Sequence, residues 1–219
     1  MLNIWGRISS INVRKVVWCA QELGLDFQRT EAGGRFGIVR TPDFLALNPN
    51  GLVPAIDDGE DAARVTLWES NVIVRYLCAR HSSGAPAGPK ALYPDALPDR
   101  FEAEQWMDWQ QTTLNPASGG AFRQWIRTPP AERDDAVIAR SVLATEPLFA
   151  LLDAHLAERR FMLGDHFCMA DIPLGCEAHR WFGLPPTAYT RPAWPNVERW
   201  FSELRTRQAA RGVLDLPLE

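Results

Sequence analysis

The sequence has little lysine, little cysteine and no long apolar run, and each shortage excludes a class of protein. Of its 23 basic residues only Lys15 and Lys90 are lysines, and 27 acidic residues outnumber the basic ones. This net negative charge predicts that the protein has no basic face for binding nucleic acid. No stretch approaches the roughly 18 consecutive apolar residues that mark a transmembrane helix, so we expect no membrane partner.

The 4 cysteines are Cys19, Cys78, Cys168 and Cys176. They lack the close spacing of metal or redox motifs and are too few for a disulfide scaffold, which favours a reducing compartment. The chain opens without a signal-peptide pattern, so we expect a cytoplasmic protein. Its 4 histidines are scattered, which predicts no metal site. The absence of GxGxxG and GxxxxGK patterns argues against nucleotide binding.

The first 81 residues predict an α/β domain, a small mixed sheet with helices on its faces. Helical spacing of Val13, Val16 and Val17 follows a strand-like start, and Thr41-Pro42 reads as a helix start. A turn at Asp57-Asp58-Gly59 predicts a hairpin. The predicted order is βαβαββα, with strands over Leu2–Trp5, Phe27–Thr30, Val53–Ile56 and Arg64–Leu67 and a last helix over Ser70–Arg80.

A stretch rich in Pro, Gly and Ser, residues 82–98, predicts a domain boundary. We therefore expect one domain over residues 1–81 and an all-helical domain over residues 92–219. Apolar spacing predicts a helix through Trp106 and Trp109, and a second that Pro129-Pro130 opens and Pro147 kinks. Two further helices are predicted over Asp171–Trp181 and Pro195–Leu204.

Hydroxyl and amide side chains stand just before the first helix, where Ser9, Ser10 and Asn12 follow the first strand. Such residues are most often helix caps. The same donors, at the positive end of a helix, can also hold an anion or a thiolate. The sequence leaves both interpretations open.

The segment Asn48–Pro54 leads into the third strand through a proline. Pro54 cannot donate to a strand ladder, which indicates an ordinary turn, an edge, a bulge or a cis peptide. A cis bond would expose the backbone of Val53, which could then pair with a peptide as an added strand.

Glu69-Ser70 falls where the fourth strand meets the next helix. A cap and a first-turn acid are the simplest interpretation, with Ser70 as the N-cap. Free N–H groups there could also hold a carboxylate while Glu69 accepts from an ammonium. Together these groups match an amino acid head group.

The helical part contains two candidate features. Asp171 should bond backbone groups around Cys168 and form a buried cap. Tryptophan is plentiful, with 9 residues, and several fall near Arg123. They could line an apolar pocket with one cation, although a core stripe explains each tryptophan singly.

In their order along the chain, these features resemble a cytosolic glutathione transferase. The first domain resembles the thioredoxin-like domain of that family, Asn48–Pro54 its cis-proline loop and Trp68–Ile73 its Glu-Ser motif. Gly164-Asp165 with Ala170-Asp171-Ile172 resembles its helical capping motif, and Trp194-Pro195 its late helix. One departure is Cys168, where the family usually has a Ser or Thr cap.

The resemblance implies roles for individual residues. Ser10 would activate the thiol of glutathione, with Asn12 and Ser9 beside it. Glutathione would contact Asn50, Val53, Pro54, Glu69 and Ser70. The helical domain would bind a small hydrophobic electrophile through Trp109, Phe122, Arg123 and Trp125.

Three activities are compatible with the resemblance. The first is conjugation of glutathione, as co-substrate and without a metal, to an electrophile. The second is glutathione-dependent disulfide reduction, since the Ser-x-Asn loop resembles the nu class. The third is a binding or interaction module that has lost catalysis. The family resemblance also implies a homodimer.

Overall fold

A computed structural model describes residues 1–59, 64–81, 92–187 and 189–219. The chain divides into two compact units, Met1–Tyr93 and Pro94–Glu219. The stretch in which we expected the domain boundary lies mostly in residues 82–91, outside the described part.

The first unit has the thioredoxin-like order βαβαββα that the sequence predicted. Its four strands form one mixed sheet in the order β2-β1-β3-β4. β1 and β2 are parallel, and the other neighbouring strands are antiparallel. The elements are β1 (Leu2–Trp5), α1 (Ile11–Glu22), β2 (Phe27–Thr30), α2 (Pro42–Leu47), β3 (Ala55–Asp58), β4 (Val65–Trp68) and α3 (Ser70–His81).

The hairpin is shifted from its predicted position. β3 begins at Ala55, not Val53, because Pro54 has no N–H to extend the ladder and Ala55 already pairs with Trp5. The predicted turn residues Asp57 and Asp58 therefore lie inside the strand. The strand end is held by Asp58, which accepts a hydrogen bond of 2.9 Å from the hydroxyl of Tyr76 on α3.

The second unit is helical, as predicted. It contains α4 (Leu97–Trp109), α5 (Asn115–Phe122), α6 (Asp135–His155), α7 (Asp171–Phe182) and α8 (Pro195–Thr206). Two π-helical segments, Gln110–Leu114 and Arg123–Arg127, follow α4 and α5 directly. Neither α5 nor these segments were predicted from the sequence, because a π-helical turn changes the spacing on which the helical pattern depends.

α6 begins later than predicted. Pro129-Pro130 leads only into a short 3₁₀ turn, Pro130–Glu132. Asp134 is the N-cap, and its carboxylate accepts hydrogen bonds from the backbone N–H groups of Ala136 and Val137. A side-chain cap of this kind accepts hydrogen bonds from the first N–H groups of the helix, whereas a proline side chain has no acceptor for them. The cap at Asp134 therefore sets the helix start.

The predicted cap at Asp171 is present and fully buried. Its carboxylate accepts from the backbone N–H of Met162 at 3.1 Å and of Cys168 at 2.9 Å. It also accepts from the indole N–H of Trp200 at 2.8 Å. Burial raises the pKa of this carboxyl to about 6, although the bonds it accepts oppose the rise. The cap therefore joins the loop before α7 to α8.

Candidate active site

The loop between β1 and α1 is held by hydrogen bonds at both ends, one from a backbone N–H and one from a side chain. Gly6 has a φ of +151°, and a Cβ there would lie 2.4 Å from a methyl carbon of Val13. The Arg7 N–H donates to the carbonyl of Ala32 at 3.0 Å. Buried Arg14 donates to the carbonyl of Ile8 at 3.0 Å. Glycine is therefore required where the chain leaves the strand, and the next residues have a defined path.

Ser10 occupies the N-cap position of α1 without using its hydroxyl as a cap. Its carbonyl accepts the N–H groups of Val13 and Arg14, both at 3.0 Å, while its side chain makes no cap hydrogen bond. Thr41 at the start of α2 provides a contrast, since its hydroxyl does accept from Phe44. The capping interpretation is therefore wrong for the Ser10 hydroxyl, which is left as a donor beside the positive end of α1.

Asn12 and Ser70, which the sequence separates by 58 residues, meet in the fold. The Ser70 hydroxyl donates to the amide oxygen of Asn12 at 3.3 Å. It also accepts from the ammonium of Lys15 at 3.4 Å. With its oxygen engaged, Asn12 keeps its amide N–H groups as donors. Lys15 is fully buried; it was not predicted as part of the site, although a lysine among valines at helical spacing was a signal.

The Val53–Pro54 peptide is cis. Val53 precedes β3, and its backbone N–H and C=O have no hydrogen-bond partner among the described residues. Its side chain packs against a small apolar cluster that contains Ala32 and Phe44. The backbone of Val53 is thus firmly placed and unpaired, as strand addition requires.

Asn48, not Asn50, organises the loop before the cis bond. Asn48 is buried, accepts the backbone and side-chain N–H groups of Asn50 at 3.0 Å each, and donates to the carbonyl of Leu52 at 2.8 Å. Asn50 is exposed, and part of its donor capacity is used within the loop. A Cβ on Gly51 would lie 2.8 Å from a guanidinium nitrogen of Arg40, so an exposed cation borders this loop.

Glu69 precedes α3, which begins at Ser70. The carbonyl of Glu69 accepts the N–H of Ile73 at 2.9 Å. Glu69 thus takes the N-cap position that we had assigned to Ser70, and Ser70 is the first helical residue. Glu69 has a φ of +72°, a conformation that is uncommon for a side chain of this type and often occurs at functional sites. Its side chain is exposed.

The four residues expected at an electrophile pocket have different environments. Trp109 packs edge-on against Trp106 with ring centroids 5.2 Å apart, and Trp125 lies under the guanidinium of Arg133 at 4.6 Å. Arg123 is exposed. Among the described residues, no ring contact joins Trp109 to Phe122 or Trp125.

Phe122 is buried, with only 6% of its surface exposed. Arg127 lies over its ring at 4.8 Å and Arg180 at 5.2 Å. A ring covered in this way presents little surface to a ligand. The role of Phe122 as a pocket wall stays a prediction.

The described residues contain neither a metal-binding cluster nor a membrane-spanning helix. No group of three or more His, Cys, Asp or Glu side chains is arranged to hold a metal ion. No helix in this part of the chain combines the length and apolar character needed to cross a membrane.

Models of known families match both parts of the chain. Residues 9–80 match the glutathione S-transferase N-terminal domain and residues 114–208 the glutathione S-transferase C-terminal domain. The chain is 43% identical over 218 residues to glutathione S-transferase GstB of Escherichia coli K12, and the match covers all of both proteins.

Solved structures are similar over the same extent. A theta class glutathione S-transferase from Xanthomonas axonopodis pv. citri, with glutathione bound, is 41% identical with a TM-score of 0.89, covering 100% of this chain and 99% of that one. A glutathione transferase from Burkholderia graminis, with two glutathione molecules bound per subunit, is 27% identical with a TM-score of 0.85, covering 99% of this chain and 88% of that one.

Proposed function

This chain belongs to the glutathione S-transferase family, and from that premise we propose that its first loop activates the thiol of glutathione for attack on a small hydrophobic electrophile. The observation that carries the proposal is the Ser10 hydroxyl, which stands at the N-cap of α1 and makes no cap bond. The hydroxyl donates a hydrogen bond to the sulfur and keeps its own proton. The thiol proton leaves to solvent.

The free energy required to activate the thiol in this way is modest. A thiol with a pKa of about 8.5 must fall by roughly two units to be mainly thiolate at neutral pH, which corresponds to about 2.7 kcal/mol. One charge-assisted hydrogen bond contributes about 1.5–3 kcal/mol. Ser10, aided by the dipole of α1 and the amide of Asn12, is therefore sufficient without a general base. Ser9 is the alternative donor.

The rest of glutathione is held by groups of the first unit. The backbone of Val53 has no strand partner among the described residues and directly precedes Pro54. It pairs with the cysteinyl part of glutathione. The exposed carboxylate of Glu69 accepts from the γ-glutamyl ammonium. The first N–H groups of α3, at Ser70, donate hydrogen bonds to the γ-glutamyl carboxylate.

For the glycyl carboxylate we propose Arg40 beside Asn50. Asn50 already donates to Asn48, whereas the guanidinium of Arg40 borders Gly51. A guanidinium is the better match for a carboxylate because it carries the opposite charge and several donors. Asn50 keeps a supporting contact.

We assign residues 1–81 to glutathione and residues 92–219 to the electrophile. Trp109 and Trp125 provide apolar rings that are only partly buried, and exposed Arg123 can stabilise a developing anion. Phe122, whose ring is covered by Arg127 and Arg180, supports these residues from behind.

Disulfide reduction with glutathione is the second candidate. It is favoured by the donors that Asn12 retains after its oxygen accepts from Ser70, and by the two glutathione molecules per subunit in the Burkholderia relative. Comparing turnover of an aryl halide with turnover of hydroxyethyl disulfide, both at saturating glutathione, distinguishes the two. A protein that turns over neither substrate would overturn both assignments.

Replacing Glu69 by glutamine is expected to weaken glutathione binding about 10-fold, because one charge-assisted contact of about 1.5 kcal/mol is lost. Isothermal titration with glutathione measures the change. Glu31→Gln is the matched control, since Glu31 is a partly buried carboxylate of the same unit that pairs with Arg29, and it should leave affinity within about 2-fold, a change of roughly 0.4 kcal/mol. Equal affinities of Glu69→Gln and wild type would contradict the head-group assignment.

We propose a cytoplasmic homodimer as the assembled form. Exposed apolar side chains support it, among them Trp68 and Val72 in the first unit and Leu97 and Phe101 in the second. Sedimentation equilibrium should give a mass near twice the 24.6 kDa of one chain. A particle of single-chain mass at micromolar concentration would rule the dimer out.

A further inference from the structure

A cluster of polar side chains is buried in the helical unit, where apolar residues would be expected. We call it the Glu177 network, and it consists of Gln110, Asn115, Ser118, Glu177 and Arg180. Glu177, Gln110 and Ser118 are fully buried, and Arg180 is 6% exposed. Glu177 and Arg180 lie on α7, and the other members lie on the path from the end of α4 into α5.

Every oxygen of the buried carboxylate has a partner. One oxygen of Glu177 accepts from the Ser118 hydroxyl at 2.6 Å and pairs with Arg180 at 2.5 Å. The other accepts from the side-chain amide of Gln110 at 2.8 Å. The same guanidinium donates to the side-chain oxygen of Asn115 at 2.8 Å. The network is thus a set of charge-assisted bonds between two helical stretches, in which the Nε of Arg180 alone has no partner among the described residues.

Such a pair is a poor way to stabilise a helical core, because the cost of desolvating two charges commonly equals or exceeds their attraction. What a buried pair with several directional hydrogen bonds does provide is a single geometry. Here it joins α7 to Gln110, which opens the first π-helical segment, and to Asn115 and Ser118 just beyond that segment. Bonds from α7 therefore define the register of the helix across the first π-helical segment.

The network also extends to the residues that we assign to the electrophile. Trp109 directly precedes Gln110. The guanidinium of Arg180 lies over the ring of Phe122 at 5.2 Å, and Phe122 ends α5 where the second π-helical segment begins. A shift of this helical path by one residue would rotate the rings on both sides of the network.

We propose that Glu177 and Arg180 are positioning residues for the second substrate: they hold the helical path from Trp109 to Phe122 in the register that presents Trp109 to the electrophile. The inference rests on the proposed function, in which Trp109 contacts that substrate. Glu177 and Arg180 themselves touch neither glutathione nor the electrophile.

The test uses the double variant Glu177→Leu/Arg180→Met, which removes both charges together and leaves none unpaired. With chlorodinitrobenzene as the electrophile, its KM should rise about 10-fold while the KM for glutathione stays within about 2-fold, changes equivalent to roughly 1.4 and 0.4 kcal/mol. Hydrogen exchange should increase over residues 109–122. A variant with Arg199→Met is the matched control, since Arg199 donates to the backbone carbonyls of Leu156 and Arg159 elsewhere in this unit, and both KM values should stay unchanged.

Gln110→Met gives a second test that leaves the ion pair intact. It cuts the bond to the first π-helical segment and should raise the electrophile KM about 3-fold, which is roughly 0.7 kcal/mol. A folded double variant with both KM values within 2-fold of wild type would overturn the positioning role. If Trp109→Ala also leaves the electrophile KM unchanged, the electrophile assignment itself fails, and the positioning inference fails with it. An altered KM in Trp109→Ala with an unaltered double variant overturns the inference alone.

Discussion

Replacing Ser10 by alanine is expected to lower glutathione-dependent turnover about 10- to 100-fold, because one charge-assisted hydrogen bond to the thiolate, about 1.5–3 kcal/mol, is lost. Glutathione should still bind with nearly the affinity of wild type, since we propose that Val53, Glu69 and Arg40 hold the rest of the molecule. The pKa of the bound thiol should rise by about one to two units. Ultraviolet difference titration of the thiolate measures that pKa directly.

Ser9→Ala is the matched control, because it removes an adjacent hydroxyl of the same loop. It should keep turnover within about 2-fold, roughly 0.4 kcal/mol of the barrier. The two serines exchange roles in our assignment if Ser9→Ala shows the large loss and Ser10→Ala does not. If neither variant raises the thiol pKa, hydroxyl activation is wrong and Asn12 becomes the candidate donor.

Replacing Asp171 by alanine should have the largest effect on stability. The N–H groups of Met162, Cys168 and Trp200 would lose their acceptor inside the core. A buried donor without a partner costs about 1–3 kcal/mol, so we expect a total loss of about 3–5 kcal/mol. For a chain of this length that loss lowers Tm by about 10–15 °C. Thermal unfolding followed by circular dichroism measures it.

Asp165→Ala is the control, since Asp165 is an exposed carboxylate in the same loop, and its Tm should match wild type. The pH dependence gives an independent check. Because burial raises the folded pKa of Asp171 to about 6, the folded state binds its proton more tightly than the unfolded chain. Stability from this group therefore grows as pH falls from 7 to 5, and the gap to Asp171→Ala should widen by about 1 kcal/mol. A gap that narrows would contradict the assignment.

Much of the fold was predictable because its signals are local. β1 and β2 have the bounds that the sequence predicted, since each strand ends at a turn. The Thr41 cap and the Asp171 cap also follow from side chains that bond backbone groups a few residues away. The first loop, the Pro54 loop and the Glu-Ser motif were recognisable for the same reason, whereas the residues alone left the cis form of the Val53–Pro54 bond open.

The predictions differ from the structure where the outcome depends on contact with a second helix or strand. β3 starts at Ala55 because that residue has a partner on β1, which no local pattern contains. α5 was missed because the π-helical segments before and after it break the regular spacing. The role of Phe122 in a pocket wall stays a prediction from its apolar character, and the sequence did not show the two guanidiniums that cover its ring.

The sequence by itself determined the family, the order of the elements in the first domain and the residue types of the motifs that we assign to glutathione, because these depend on motifs whose members lie within a few positions of one another. The tertiary structure alone decided what those residues can do. It left the Ser10 hydroxyl free of its cap, joined Asn12 to Ser70 in front of a buried lysine, and linked Glu177 to Gln110 across the helical unit. Such pairings depend on how helices and strands pack, and packing brings together residues that are distant in the chain.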